Sequence, residues 1–349
     1  MTGDLSIRTE GRAGRITLTR PKALNALSHE MSLAIEDALE AWAEDDAVAL
    51  VILDAEGEKA FCAGGDIARI HAQGTAGALE GPRSFWRDEY RMNARLATYP
   101  KPVAAFMQGF VMGGGVGIGC HASHRVVGDT TRIAMPECGI GLMPDVGGTL
   151  LLARAPGRAG EYLGLTGARM KATDAIHAGF ADFYIPEALW PDLIAMLVAD
   201  GDAAGITSAA VAPPEGTLPA LAPEIDRLFA ASDLPALIAA LTADGHDFAT
   251  DTLATLRHHS PLSMACTLDA VRRMRGQDDI RAALALEYRF TWRSMDQGDL
   301  LEGIRAQIID KDRTPHWKHR LEMVDAAAVA AMLAPLGAAE LTFEREDTP

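Results

Sequence analysis

Two carboxylates, Glu137 and Asp145, lie in the stretch MPECGIGLMPDVGG (Met135 to Gly148), which is otherwise built of apolar residues, glycines, prolines and one cysteine. Acids with so few polar neighbours are either held by a structural partner or equipped for acid–base or nucleophilic chemistry. Read as a strand, TRIAMPE puts Ile133, Met135 and Glu137 on one face, so that Glu137 continues an apolar surface where an idle acid is costly. A third acid, Glu89, belongs to SFWRDEYRMNARL. As a helix this segment carries Phe85, Glu89, Met92 and Leu96 on one stripe, and Glu89 faces inward as well. One such acid alone reads as a cap or an ion-pair partner; three of them beside two glycine loops read as a site.

The first loop is FCAGGDI (Phe61 to Ile67). Its small residues leave the amides of Ala63, Gly64 and Gly65 open to a ligand, and Asp66 stands where a helix N-cap belongs. The second is QGFVMGGGVGIG (Gln108 to Gly119), where three successive glycines between a strand and a helix aim backbone amides at the helix N-terminus. It lacks the Lys-Ser/Thr pair of a phosphate loop and the register of a dinucleotide fingerprint, which leaves an amide pocket for an oxyanion or close helix–sheet packing. No G-x-S-x-G elbow is present, and HEMSL at His29 lacks the second histidine of a zinc protease. CHASH (Cys120 to His124) is short of ligands for a metal, and no metal is expected. Cys62 adjoins the amide loop without a histidine near it in sequence.

These residues need a scaffold that alternates strands and helices. RITLTR alternates with period two, Ser28 caps a helix through MSLAIEDALEAWAED, and VALVILDAEG and VAAFMQGF are buried strands; HRVVGD and TRIAMPE are two more. From Val211 the stretch APPEGTLPALAPE reads as a linker, and helical patterns follow it. The expected division is therefore an α/β core over residues 1–210 and a helical region over 211–349. Across 349 residues, 48% hydrophobic and 23% charged is a globular balance, and no apolar run approaches the length of a membrane span. The N-terminal MTGDLSIRTEGR has no apolar core after its charges, so a cytoplasmic protein is expected, with the mitochondrial matrix as the rival location. Four cysteines stand apart without a C-x-x-C pair, as reduced buried thiols do. A net charge of −16 excludes general binding to nucleic acid or an anionic membrane, so an anionic ligand must be held by amides and a few cations.

FCAGGDI, MGGGVG about fifty residues later, MPE and a P-x-x-GG segment together resemble the crotonase, or enoyl-CoA hydratase/isomerase, superfamily. The resemblance implies a spiral of ββα units followed by a helical C-terminal region, and an acyl-CoA substrate whose thioester oxygen sits between the amides of Ala63 and Gly114. It implies that RPKALNAL lies along the CoA moiety, with Lys22, Ala23 and Leu24 as contacts, and that Gly64, Gly65, Asp66 and Ile67 border the substrate. Hydratases of the superfamily carry a second glutamate at the position held here by Gly117, so the pair that adds water to a double bond is broken. FWRDEYRMN, MPECGIGLMPDVGG, LTGARMKATDAIHAGFADFYI, LEYRF and EGIRAQIIDKDRTPHWK instead resemble the members that hydrolyse short 3-hydroxyacyl-CoA thioesters in valine breakdown. That likeness implies Glu137 as base or nucleophile, Asp145 as a second acid, Glu89 as a third polar group and Gly114 in the oxyanion hole. It implies no cofactor, since coenzyme A comes with the substrate, and a homo-oligomer, as trimers are common in the superfamily. The rival readings are a hydratase or isomerase with Glu137 as lone base, and a silent acyl-CoA binding protein.

Overall fold

The computed structural model describes residues 3–345, and packing divides the chain into two compact units. The first gathers residues 1–65, 88–134 and 169–217; the second gathers 66–87, 135–168 and 218–349. The expected cut at residue 210 falls close to the last crossing, at 217/218, but 66–87 and 135–168 pack with the C-terminal helices rather than with their sequence neighbours. The linker is also shorter than expected. LPALAPEIDRL is a helix, Leu218–Leu228, despite Pro223 within it.

The first unit is built on β1 (Leu5–Glu10), β2 (Ala13–Leu18), α1 (His29–Ala43), β3 (Leu50–Ala55) and β4 (Ala60–Cys62). After α2 (Ile67–Thr75) and α3 (Glu80–Ala97) come β5 (Val103–Met107), β6 (Phe110–Met112), α4 (Gly114–Gly119), β7 (His124–Val127) and β8 (Arg132–Ala134). A six-stranded sheet runs β1-β2-β3-β5-β7-β9, with β9 at Phe183–Tyr184, and a three-stranded parallel sheet runs β4-β6-β8. Each turn of the chain gives one strand to the large sheet and the next to the small one, which is the expected ββα spiral. VAAFMQGF is therefore two strands rather than one. Gly109 makes the break at φ 57°, where a Cβ would overlap the carbonyl of Lys59, so only glycine turns the chain there.

The large sheet is parallel except for the β1–β2 hairpin, and parallel strands covered on both faces read as continuous apolar runs, as LVIL in β3 does. Helix α8 (Trp190–Asp200) covers it, with Leu193, Ile194 and Leu197 on Ile52, Ala104 and Val126, and Trp190 edge-on to Phe106 at 5.4 Å. Ser28 caps α1 as expected, accepting from Met31 N–H at 3.2 Å. The 88–97 part of α3 is fixed to α1 by the Arg91–Glu36 pair, with Nη2 to Oε2 at 2.7 Å and Nε to Oε1 at 2.8 Å, and by His29 Nε2 with Asp88 at 2.6 Å. These contacts set the rotation of the helix that carries Glu89.

The second unit is helical: α5 (Gly148–Arg154), α6 (Ala159–Thr166), α10 (Leu218–Leu228), α11 (Leu234–Asp244), α12 (Asp247–Leu256), α13 (Pro261–Met274), α14 (Ile280–Ser294), α15 (Leu300–Ile304) and α16 (Ala326–Met332). The intervening α7 (Ala172–His177) and α9 (Ala204–Ala209) belong to the first unit. Helix α13 is the axis of the second unit, buried on nearly every side, and packs on α5 and α6. Buried Glu161 on α6 draws Arg158 at 2.7 Å and Arg272 and Arg275 at 3.2 Å, and Arg272 also donates to the carbonyls of Phe229, Ala231 and Ser232. TRIAMPE is not a strand throughout: β8 ends at Ala134, and Glu137 opens a 3₁₀ turn, Glu137–Ile140. The turn is packed too closely for side chains at Gly141 (φ 76°), which abuts Asp299, and at Gly303, which abuts the carbonyl of Ile140. Among the described residues, no helix is long and apolar enough to cross a membrane.

Candidate active site

In the first unit the two glycine loops meet. Gly114 is the first residue of α4, so its N–H precedes the intrahelical ladder, while Val116 and Gly117 donate to Gly113 O at 2.8 and 3.1 Å. Gly113 directs the chain into this helix from φ 47°, ψ −119°, and Gly115 packs so tightly on the Cys62 carbonyl that a Cβ would overlap it. Glu89 lies beside them: a Cβ built on Gly114 would stand 2.8 Å from Glu89 Oε1. The inward placement expected for Glu89 holds, since it is 2% exposed and shares its face with buried Phe85, Met92 and Leu96.

The Ala63 amide is not open as expected. It donates to the carbonyl of Leu24 at 3.0 Å, and Leu27 N–H returns a bond to Gly64 O at 2.8 Å, so the RPKALNAL segment is laced to FCAGG. Gly64 at φ 117° is conformationally restricted to glycine, and Asp66 stands at the N-cap of α2, where its carbonyl accepts from Arg69 N–H at 3.2 Å while its side chain makes no capping bond; Ile67 is the first helical residue. Lys22 and Ala23 are exposed in a 3₁₀ turn, Pro21–Ala23, and Leu24 and Asn25 follow with φ of 51° and 53°. Asn25 was not singled out from sequence. Its buried amide donates to Glu56 O and Ala60 O at 2.9 Å each and accepts from Arg20 N–H at 2.9 Å, which fixes the segment against β4. Cys62 is excluded as a nucleophile, because burial pushes its thiol up to about 12 and leaves almost no thiolate near neutrality.

In the second unit the acids of the 135–148 stretch come together with one more. Glu137 is 5% exposed, its Oε2 is buried without a hydrogen-bond partner, and Asp145 is 5% exposed. Burial, then the negative charge of Asp145 and that of Glu287, hold the Glu137 carboxyl well above the usual range, against the pull of its own backbone N–H. The turn after Asp145 is tight, with Val146 at φ 54°, Gly147 at φ 80° and Gly148 N–H on Asp145 O at 2.7 Å. Glu287 of α14 closes this arrangement. Completely buried, it accepts from Gly147 N–H at 2.7 Å, Thr149 N–H at 2.9 Å and Thr149 Oγ1 at 2.5 Å. Burial pushes its carboxyl up to about 7, those three bonds pull downward, and Asp145 pushes upward again. Neighbouring carboxyls whose proton affinities are raised together titrate as a set, and near neutrality such a set can take and return a proton.

Glu287, within LEYRF, is a candidate site residue that the sequence motifs do not single out. The signal was available: Leu284, Glu287 and Thr291 form a buried stripe at helical spacing, the same test that found Glu89. Among the described residues no cluster of three or more His, Cys, Asp or Glu is disposed to hold a metal ion.

Comparison with known proteins agrees with the fold. The family model described as Enoyl-CoA hydratase/isomerase matches residues 13–333. A protein of Xenopus tropicalis named 3-hydroxyisobutyryl-CoA hydrolase, mitochondrial, is 39% identical over 97% of this chain and 91% of its own length. The crystal structure of an enoyl-CoA hydratase from Rhodobacter sphaeroides 2.4.1 is 56% identical, with a TM-score of 0.94 over 97% of this chain and 99% of that chain. That of a carnitinyl-CoA dehydratase from Mycobacterium thermoresistibile is 42% identical, with a TM-score of 0.93 over 98% and 99%. With the match running from β2 to the end of α16, this chain belongs to the enoyl-CoA hydratase/isomerase family.

Proposed function

We propose that the protein hydrolyses 3-hydroxyisobutyryl-CoA to 3-hydroxyisobutyrate and free CoA, a step of valine catabolism. The observation that carries the reading is Glu137: a buried carboxyl with an unpartnered oxygen and a raised proton affinity, in a chain whose other hydratase position is Gly117. The curated relatives that carry the hydrolase name support it at 35–40% identity. In the proposed mechanism the Gly114 amide donates to the thioester oxygen and stabilises the charge that develops there, an effect of ~3 to 4 kcal/mol in comparable sites. Ala63 serves as second donor only when the substrate oxygen displaces the Leu24 carbonyl. Glu137 takes a proton from water as the water oxygen attacks the thioester carbon; the C–S bond breaks, and that proton goes to the CoA thiolate. Asp145 keeps the proton affinity of Glu137 high enough for this task. Glu89 beside Gly114 binds the substrate's 3-hydroxyl.

The exposed Lys22 is proposed as a contact for a CoA phosphate, with Ala23, Leu24, Gly65, Asp66 and Ile67 bordering the ligand. No metal or further cofactor enters this scheme, and neither nucleic acid nor a membrane is a proposed partner. A cytoplasmic homo-oligomer is the proposed state, although vertebrate relatives carry the word mitochondrial in their names; cell fractionation and light scattering test it.

A second reading has a specific observation in its favour, since the 56% identical solved structure is described as an enoyl-CoA hydratase. One assay separates the two. Thiol release is measured over acyl-CoAs with and without the 3-hydroxyl, beside loss of the enoyl chromophore from an enoyl-CoA. Hydrolysis predicts thiol release that favours the 3-hydroxyacyl chain, whereas chromophore loss without thiol release rejects it.

A further inference from the structure

We propose that Glu287 is a positioning residue of the proposed hydrolase: its carboxyl clamps the turn that follows Asp145 and sets a third buried acid against that turn. The inference deepens the functional reading above and rests on it.

The clamp is visible in the hydrogen bonds. Residues 145–149 pass through two left-handed residues, Val146 and Gly147, into α5, and Gly147, the N-cap, offers no side chain to the helix's first amides. Glu287 supplies the missing acceptor from a helix some 140 residues away in sequence, with one oxygen on Gly147 N–H and the other on Thr149 N–H and Oγ1. The backbone that presents Asp145 is thereby tied to α14.

The charge needs a separate reason. This chain uses a fully buried carboxylate and gives it no cation: no lysine, arginine or histidine forms an ion pair with Glu287 among the described residues. A buried, uncompensated carboxylate is expensive to keep. Its charge adds to that of Asp145 at Glu137.

The other ionisable groups around the 3₁₀ turn are accounted for. Helix α6 brings Glu161, paired with three arginines; α13 brings the Cys266 thiol and Asp269, which is paired with Arg273. Asp299 at the start of α15 accepts from Ser260 Oγ at 2.6 Å and Lys318 N–H at 3.0 Å, and Glu302 is paired with Arg305. His259 has Nδ1 on Leu165 O at 2.8 Å, and burial lowers its proton affinity, so it stays neutral. The Cys138 thiol, next in the chain, is pushed up to about 12 and is neutral too. Asp145 and Glu287 are the carboxylates that act on Glu137.

Two variants separate clamp from charge. Glu287→Gln keeps the size but replaces one acceptor by an NH₂ facing Gly147 N–H, while Glu287→Asp keeps the charge but shortens the reach. Both should lower kcat by about tenfold or more through the displaced turn. In Glu287→Gln the acidic limb of kcat/KM against pH should also move down by on the order of one pH unit, while in Glu287→Asp it stays near the wild-type position. A limb at the wild-type pH in Glu287→Gln, or equal displacement in both variants, overturns the charge role; wild-type kcat in both overturns the clamp. Difference infrared spectroscopy of the wild-type protein covers the case in which a variant does not fold. It should show one protonated carboxyl band that titrates at about pH 7, from Glu287, and another that titrates above the usual carboxylate range and is lost in Glu137→Gln. Absence of any carboxyl titrating there overturns the proposal. The infrared arm needs no substrate, so a wild-type protein that releases no CoA while showing these bands rejects the hydrolase reading and leaves the coupling of the acids in place.

Discussion

Replacing Gly114 by alanine keeps the backbone amide and adds one methyl group, and the structure says what that methyl strikes. A Cβ at Gly114 would lie 2.8 Å from Glu89 Oε1, against 3.4 and 3.5 Å from Leu27 Cδ2 and Cβ. Leu27 is at ordinary contact distance and need not move; the Glu89 carboxyl must withdraw. Helix α3 cannot carry it away as a body, because Arg91 and Asp88, on either side of Glu89, are bound to Glu36 and His29. The displacement therefore falls on the Glu89 side chain, about 0.6 Å, and since ~1 Å of misplacement costs ~10²-fold, turnover should fall by about 10- to 20-fold. The assay is kcat for thiol release in Gly114→Ala, Glu89→Ala and the double variant. Once Glu89 is removed, the methyl has nothing left to strike, so Gly114→Ala should cost little further in the Glu89→Ala background. Equal fold-losses in both backgrounds, or a fully active Gly114→Ala enzyme, would refute the placement of Glu89 against the oxyanion donor.

Glu137→Gln should lower kcat by ~10²- to 10⁴-fold while CoA-ester binding, followed by calorimetry, is retained, because the base is lost and the volume kept. Near-normal turnover in that variant removes Glu137 from the mechanism. Wild-type activity should rise with pH through a limb above the ordinary carboxylate range, since burial and Asp145 hold the proton on Glu137 and the base works only after losing it; a limb near pH 4 contradicts this. Glu161→Gln should lower stability to chemical denaturation by about 1.5 to 3 kcal/mol, as it leaves the partly exposed Arg158, Arg272 and Arg275 without their buried counter-ion; an unchanged denaturation midpoint would mean that solvent replaces Glu161 there. Cys62 should resist alkylation in the folded protein and react on unfolding, as mass spectrometry of labelled peptides can follow.

Much of this site is written locally. The helix carrying Glu89 was legible because its apolar residues recur at helical spacing, and Ser28 because a serine before an amphipathic run caps it. The glycine triplet was legible because no other residue type permits so close a backbone approach. The strand assigned to TRIAMPE failed at its end, where Pro136 and the glycines of ECGIGL convert the alternating pattern into a 3₁₀ turn. VAAFMQGF failed for a similar reason: its apolar run is continuous, yet Gly109 turns it from one sheet into another. A run of buried residues carries no mark of which sheet it joins.

The sequence by itself determined the candidate site residues, Glu137, Asp145, Glu89 and the Gly114 amide, together with the alternating framework and the family to which the chain belongs. These are properties of short segments, where backbone preference and apolar period act over a few residues. Tertiary structure alone decided which partners those residues meet. It put Leu24 on the Ala63 amide, gathered 66–87 and 135–168 with the C-terminal helices, and brought Glu287 to the turn after Asp145. Contacts between segments far apart in the chain depend on packing and desolvation summed over the whole fold, and desolvation is also what raises the Glu137 carboxyl above the usual carboxylate range.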